Sequence, residues 1–440
     1  MKNLISVIRK LLEEYSPLAL LALTAPFFLP VDRHLHRTIL LLFCAFPGIL
    51  LSVLNPKVLK KPVHLCILLF VLYFSAQDLR GSLPVAPGYL RQLVLPAVMI
   101  IFPAITISYA TPDRKLYPSA VRLILFITVL SSIYSLILFY SKNPFPATRL
   151  ELAFRGSGNP IPDSWKSGFA AVLAGAFFLQ SGAKLKRLDW LALTCLPVLM
   201  AATLYSHTRS TVLALLAVTA GSLFGIKKRI KKTLLLFATV SITLLLYFAS
   251  LYAGVTASAP VPAGQAQLKS QSQSPATPLR SAGLAVSGAA GSASIFDRIN
   301  IWRDHFSRMT SAKIWVTGHG LGRNNFVSEV LPEVQQSYYI SPKGFQLHAQ
   351  SGYVWSLYYG GLIGLGILLI LQITAGRNAF FAGYAGYTSK ALLVFCAMIL
   401  LVDTQRLLVG VGSSEYLIFW VPLALAAGLQ PAPSEKHQKK

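Results

Sequence analysis

Negative charge is what this chain has least of. Its 440 residues hold 15 Asp and Glu against 40 Lys and Arg, and charged residues of both signs make up 12% of the whole. Soluble domains carry roughly 25%, so a chain that is also 54% hydrophobic is no water-soluble globule. The acids expected on the outer side stand singly, and no Asp-x-Asp, His-x-x-x-His or Cys-x-x-Cys spacing occurs. A divalent-metal site therefore lacks its usual ligand pattern, and neither a metal nor a cofactor is expected. Cysteine is scarce too. Cys44, Cys66, Cys195 and Cys396 all fall in apolar runs, which argues against a disulfide framework and leaves the compartment unmarked. The run Gly318-His319-Gly320-Leu321-Gly322 has no Lys-Ser or Lys-Thr after it, so it reads as a shaped turn and not as a nucleotide P-loop.

Long apolar runs are plentiful. Twelve can be read, at about 16–32, 38–54, 62–77, 92–110, 117–140, 167–183, 188–206, 210–226, 233–253, 351–374, 379–402 and 414–430. A helix needs roughly 17 to 25 residues to cross hydrocarbon, so the expectation is an all-α polytopic membrane protein of about twelve transmembrane helices with both termini inside. The first fifteen residues carry Lys2, Arg9, Lys10, Glu13 and Glu14, and no small-x-small cleavage site follows. The first run thus reads as a retained helix and not as a removed signal peptide.

The basic residues are sorted by side. The twelve-span reading puts 20 of the 40 inside, 15 of them Lys, and 18 outside, 13 of them Arg; Arg122 and Lys390 fall within spans. Inner clusters such as Lys57, Lys60 and Lys61, or Lys227, Lys228, Arg229, Lys231 and Lys232, follow the positive-inside rule. The net charge of +25 thus reflects topology, and no basic stretch interleaved with aromatics points to nucleic acid. Lysine suits an anionic inner leaflet, whereas the planar guanidinium of Arg grips phosphate in a two-pronged geometry. Arginine on the outside looks like chemistry.

The expected organisation is nine spans over 1–253, one large outer loop over 254–350, three spans over 351–430 and an inner tail over 431–440. Within the loop, 254–294 is rich in Ala, Ser, Gly, Pro and Gln and is expected to be flexible. The part from 295 to 350 is expected to be helical and catalytic. Ser294 and Asp297 have capping-box spacing, and Ile295, Ile299, Trp302, Phe306 and Met309 recur at helical intervals. That pattern predicts an amphipathic helix lying on the outer membrane surface, with Arg298, His305 and Arg308 on its polar flank. A second outer loop, 141–166, holds Arg149, Glu151 and Arg155.

Three residues stand out as site candidates. Arg209 lies in the tight turn Ser206-His207-Thr208-Arg209-Ser210, at a helix start whose free N–H groups also favour an anion. The plain alternative is an interface Arg reaching to lipid headgroups. Arg298 is either a second phosphate ligand or a solvated charge on a helix flank. His348 opens a span and offers the commonest side chain for proton transfer near neutral pH, or is an ordinary interface residue. His207, His305 and His319 share its side of the membrane.

In succession, the outer Thr208-Arg209-Ser210 turn, Arg298 four residues before Trp302, the Trp315-Val-Thr-Gly-His-Gly-Leu-Gly322 turn and His348 opening a glycine-rich span resemble the bacterial O-antigen ligase family. The resemblance runs across most of the chain, and its specificity lies in the order of short, degenerate motifs. It implies a GT-C-type glycosyltransferase of the Gram-negative inner membrane with its active site facing the periplasm. The implied partners are an undecaprenyl-diphosphate-linked O-antigen donor, a lipid A-core acceptor and membrane lipids, with no metal or nucleotide sugar. Carried over by residue, the diphosphate ligands fall on Arg209 and Arg298 and the essential histidine, as general base, on His348; Arg155, His319 and Arg323 are further candidates for the diphosphate or glycan. An O-antigen polymerase or a protein O-oligosaccharyltransferase would use the same carrier, but polymerases tend to carry two substantial periplasmic loops. A lipid or polysaccharide transporter is the rival of a different class; it would set ionisable residues near the bilayer midplane, whereas Arg122 and Asp189 lie near inner ends of spans.

Overall fold

The computed structural model describes residues 2–79, 89–143, 145, 148–154, 160–180, 187–223, 230–257, 295–321, 338–341, 344–347, 349–383, 385–402, 407 and 414–429. Helices dominate them: α1 (Lys2–Thr24), α2 (Arg33–Leu40), α3 (Phe46–Leu54), α4 (Pro62–Leu79), α5 (Tyr89–Ser108), α6 (Tyr117–Tyr140) and α7 (Pro160–Gln180). Then come α8 (Arg187–Tyr205), α9 (Arg209–Leu223), α10 (Ile230–Ala257), α11 (Ile295–Ser311), α12 (Gly352–Phe381), α13 (Tyr387–Val402) and α14 (Ser414–Gly428). A helix occupies each of the twelve apolar runs. Among the described residues, four stretches are long and apolar enough to cross a membrane: His34–Leu54, which joins α2 and α3 through a π-helical turn, Tyr117–Tyr140, Ile230–Ala253 and Gly352–Phe381. Large apolar side chains such as Ile137, Leu245, Leu246 and Ile373 stand two-thirds exposed on the outside of the bundle. Water would not tolerate such a belt, and the chain is a helical membrane protein.

The core is built around α14. All of its residues from Tyr416 to Ala427 are buried, as befits a helix apolar on every side. Trp420 and Phe419 meet Phe70 of α4, and the Tyr416 hydroxyl donates to the Met99 carbonyl of α5 at 2.7 Å. At its far end α14 touches α5 backbone, since a Cβ on Gly428 would lie 1.5 Å from the Ser108 carbonyl oxygen.

Helix α12 is broken. Gly361 has φ +63 inside it, and the turn from Trp315 to Leu321 fills the gap. His319 and Gly320 donate their N–H groups to the carbonyls of Tyr358 and Tyr359 at 2.7 and 3.0 Å. Leu362 and Ile363 donate to Trp315 and Val316 at 2.8 and 3.4 Å. Tyr73 of α4 supplies its hydroxyl to the Gly360 carbonyl at 2.6 Å. Irregular backbone at membrane depth persists only where protein satisfies it in this way. Gly318, at φ +72, is the residue that permits the approach, because a Cβ there would fall 2.4 Å from the Gly361 nitrogen.

Several expectations need correction. The segment 295–350 is not helical throughout: α11 ends at Ser311, and β1 (Tyr338–Ser341) pairs antiparallel with β2 (Gly344–Leu347), Tyr338 opposite Leu347. Tyr338, Tyr339, Ile340 and Phe345 favour a pleated surface, and Pro342 between the strands disfavours a helix. The run at 379–402 does not start a helix at 379. Instead α12 continues to Phe381 and stops where Gly383 takes φ +59, a left-handed helix end, and α13 starts at Tyr387. Helix α10 runs on to Ala257. Nearly all of the stretch expected to be flexible, the tail from 431, and Ser294 of the expected capping box lie outside the described residues.

Candidate functional site

The turn that carries Arg209 is tightly built. Helix α8 ends at Tyr205, His207 takes the left-handed conformation at φ 52, and α9 starts at Arg209 itself. A non-glycine residue at positive φ needs support from its surroundings. Arg149 provides it, donating Nε to the Ser206 carbonyl at 3.0 Å and Nη2 to Thr208 Oγ1 at 3.4 Å. The neighbouring Leu150 N–H donates to the Tyr205 carbonyl at 2.8 Å, and His207 Nδ1 meets the Tyr247 hydroxyl at 2.9 Å. Arg209 is left exposed at the first position of α9.

Behind this turn sits a buried ion pair. Lys166 Nζ lies 2.6 Å from Asp163 Oδ1, both side chains nearly inaccessible. Asp163 Oδ2 accepts the Leu152 N–H at 3.0 Å, so the pair holds the strip of loop that carries Arg149. Ser164 and Thr211 join α7 to α9 through their hydroxyls at 2.7 Å. Sequence reading missed Arg149, Asp163 and Lys166 as a unit. The i,i+3 spacing of Asp163 and Lys166 was its one visible sign.

Arg298 lies on α11, half buried. Its Nη1 donates to the carbonyl of Val402, the last residue of α13, while its Nε is buried without a hydrogen-bond partner. A cation at the carboxyl end of a helix meets the negative end of its dipole. The face of α11 turned inward is the expected one only in part. Met309 is buried and Trp302 and Phe306 pack against the core as expected, but Ile299 is exposed while Ile301, Asp304 and His305 are buried, because α11 packs on α12. His305, expected on the polar flank, sits edge-on to Tyr358 at 4.8 Å. His319 stacks on the same Tyr358 ring at 5.2 Å, within the break of α12.

His348, Arg155 and Arg323 lie outside the described residues. The residues that follow His348 are firmly placed. Trp302 of α11 donates Nε1 to the Ala349 carbonyl at 2.9 Å. Ser351 caps α12 by accepting the Val354 N–H, and its own hydroxyl donates to the Leu400 carbonyl of α13 at 3.1 Å.

No protein-family model matches this chain, and no curated protein matches it.

Helix directions gather these pieces at one end of the bundle. Gln180, at the carboxyl end of α7, bonds Thr388 and the Ala385 carbonyl at the start of α13, so α7 and α13 run antiparallel. Near its other end α7 bonds the start of α9 through Ser164. Gly168 is wedged there between Thr211 and Phe395, 2.6 and 2.9 Å from where its Cβ would stand. The start of α9 with Arg209, the end of α13 with Arg298 on its last carbonyl, and the start of α12 just after His348 therefore share one end. Two guanidiniums there can neutralise an oxyanion such as a phosphate. Among the described residues no three His, Cys, Asp or Glu side chains come together as a cation would require.

Proposed function

We propose that this protein is a glycosyltransferase of the O-antigen ligase kind, moving a glycan from undecaprenyl diphosphate onto a sugar of a lipid A-core acceptor. Twelve crossings, a GT-C architecture, an inner-membrane location with cytoplasmic termini and a periplasmic site belong to the same proposal. The observation that carries it is the gathering at one end of the bundle of Arg209, Arg298 and the residues that follow His348. The succession of sequence motifs supports it.

In this reading an acceptor hydroxyl attacks the anomeric carbon of the donor. The bond from that carbon to the diphosphate oxygen breaks, and the electron pair leaves with the diphosphate. Arg209 and Arg298 balance the growing negative charge, which fixed donors do well in a site poor in water. The acceptor proton passes to His348. Arg298 Nε is buried without a hydrogen-bond partner, an unmet bond that a phosphate oxygen brought against it would fill while Nη1 stays on Val402.

The test is transfer by purified protein in lipid, with carrier-linked glycan as donor and lipid A-core as acceptor, with and without chelator. Glycan on lipid A-core that forms undiminished under chelation is the expected product. Chains lengthened on the carrier would instead make the protein a polymerase, and movement of labelled carrier across the bilayer without transfer would make it a transporter.

A further inference from the structure

The first three turns of α1 are covered by nothing among the described residues. Every residue from Asn3 to Leu11 is exposed, and Leu4, Val7 and Leu11 are more than half accessible. At 3.6 residues per turn, Leu4, Ile5, Val7, Ile8, Leu11, Leu12 and Tyr15 form one continuous apolar face. Asn3, Ser6, Arg9, Lys10 and Glu13 form the opposite one. The helix then enters the bundle at Leu12. Arg114, between α5 and α6, fixes it there, with one guanidinium nitrogen 3.0 Å from Glu13 and another 3.0 Å from Glu14.

Cations surround this helix. Arg9 and Lys10 are exposed on its polar face, Lys115 follows Arg114, and Lys57 and Lys60 are exposed in the turn between α3 and α4. Lys61, next to them, lies over the ring of Tyr109 at the end of α5, 5.2 Å from its centre. Below them the outside of the bundle is the apolar belt that lipid covers. An apolar face continuous with that belt and flanked by cations has the chemistry of an interfacial helix: side chains at the acyl boundary, positive charge at the headgroups.

We infer that residues 3–11 of α1 form an anionic-phospholipid-binding surface, with Leu4, Val7 and Leu11 seated in the membrane interface and Arg9 and Lys10 on lipid phosphates. The surface draws on the lipid chemistry of this end of the molecule and does not depend on the glycosyltransferase reading.

Single cysteines at 4, 7 and 11, and at 3 and 6, carrying an environment-sensitive fluorophore, test this in the full chain. Cys66, the half-buried native cysteine, is replaced by Ser; Cys44, Cys195 and Cys396 are buried. The protein is reconstituted in phosphatidylcholine alone and with one part in three of phosphatidylglycerol, a probe ratio of about that size being enough to charge the surface. In the anionic bilayer, iodide should quench labels at 4, 7 and 11 several-fold less than those at 3 and 6, and nitroxide lipids should quench them more. The contrast should shrink in phosphatidylcholine and in an Arg9→Gln, Lys10→Gln protein. Equal iodide quenching on both faces would overturn the inference, as would a contrast indifferent to anionic lipid. Protection at 7 and 11 that vanishes when protein is diluted to one copy per bilayer would assign the face to a second copy of the chain.

Discussion

Arg209 and Arg298 do different work at rest. One stands exposed at the start of α9, and the other already holds the end of α13. A charged hydrogen bond contributes roughly 1.5 to 3 kcal/mol, so Arg209→Ala should slow transfer by about 10- to 100-fold at unchanged thermal stability. Arg298→Ala should slow it comparably and also lower the melting temperature, since the α13 carbonyl loses its donor. Lysine should rescue Arg209 poorly, because an ammonium lacks the fork; full activity of Arg209→Lys would end the two-pronged contact. For His348, a general base predicts activity rising with pH as the imidazole loses its proton, and His348→Ala should be slowed about 10²- to 10⁴-fold with carrier binding retained. A rate that falls as pH rises through the usual histidine range, together with lost carrier binding in the mutant, would make His348 a cationic ligand instead. These candidates were legible because an Arg in a short turn and a His opening a span are local patterns. Arg149 was not, because its role is to bond a backbone carbonyl 57 residues away, and no local pattern announces that.

At the scale of elements, periodicity and apolar length located every helix among the runs, since a bilayer imposes its thickness on composition. They did not reveal the break in α12, where Gly360 and Gly361 read as ordinary glycines of a span. The break exists because a distant turn supplies its bonds. Likewise α11 carried a plain amphipathic pattern, but its packing on α12 also buries Asp304 and His305, which that pattern put on the polar side. Gly361→Ala tests the break. Its Cβ would stand 2.2 Å from the Val316 carbonyl oxygen, at a φ that side chains avoid, and backbone strain alone is worth roughly 1 to 3 kcal/mol. A clear loss of thermal stability in detergent is expected. Gly366→Ala, five residues on in the same helix with open space around its Cβ, should be neutral or slightly stabilising. Equal behaviour of the two would mean that the turn is not seated in the break.

For the whole molecule, the sorting of Lys from Arg predicts sidedness. A cysteine at Ser141 should react with an impermeant thiol reagent added from the periplasm, and one at Lys228 should not; the reverse pattern would put the arginine-bearing end in the cytoplasm. The bonds in the break of α12 also bear on how such a chain is made. Tyr73, Gln77 and the turn from Trp315 to Leu321 all precede Gly361 in the sequence. A ribosome therefore completes these backbone partners of the break before the break itself emerges. The carbonyls of Tyr358 and Tyr359 can be met as α12 leaves the translocation channel, with no interval in which they must wait in hydrocarbon for a segment still to be synthesised. A circular permutant that moved this turn behind α14 would reverse that order while keeping every contact.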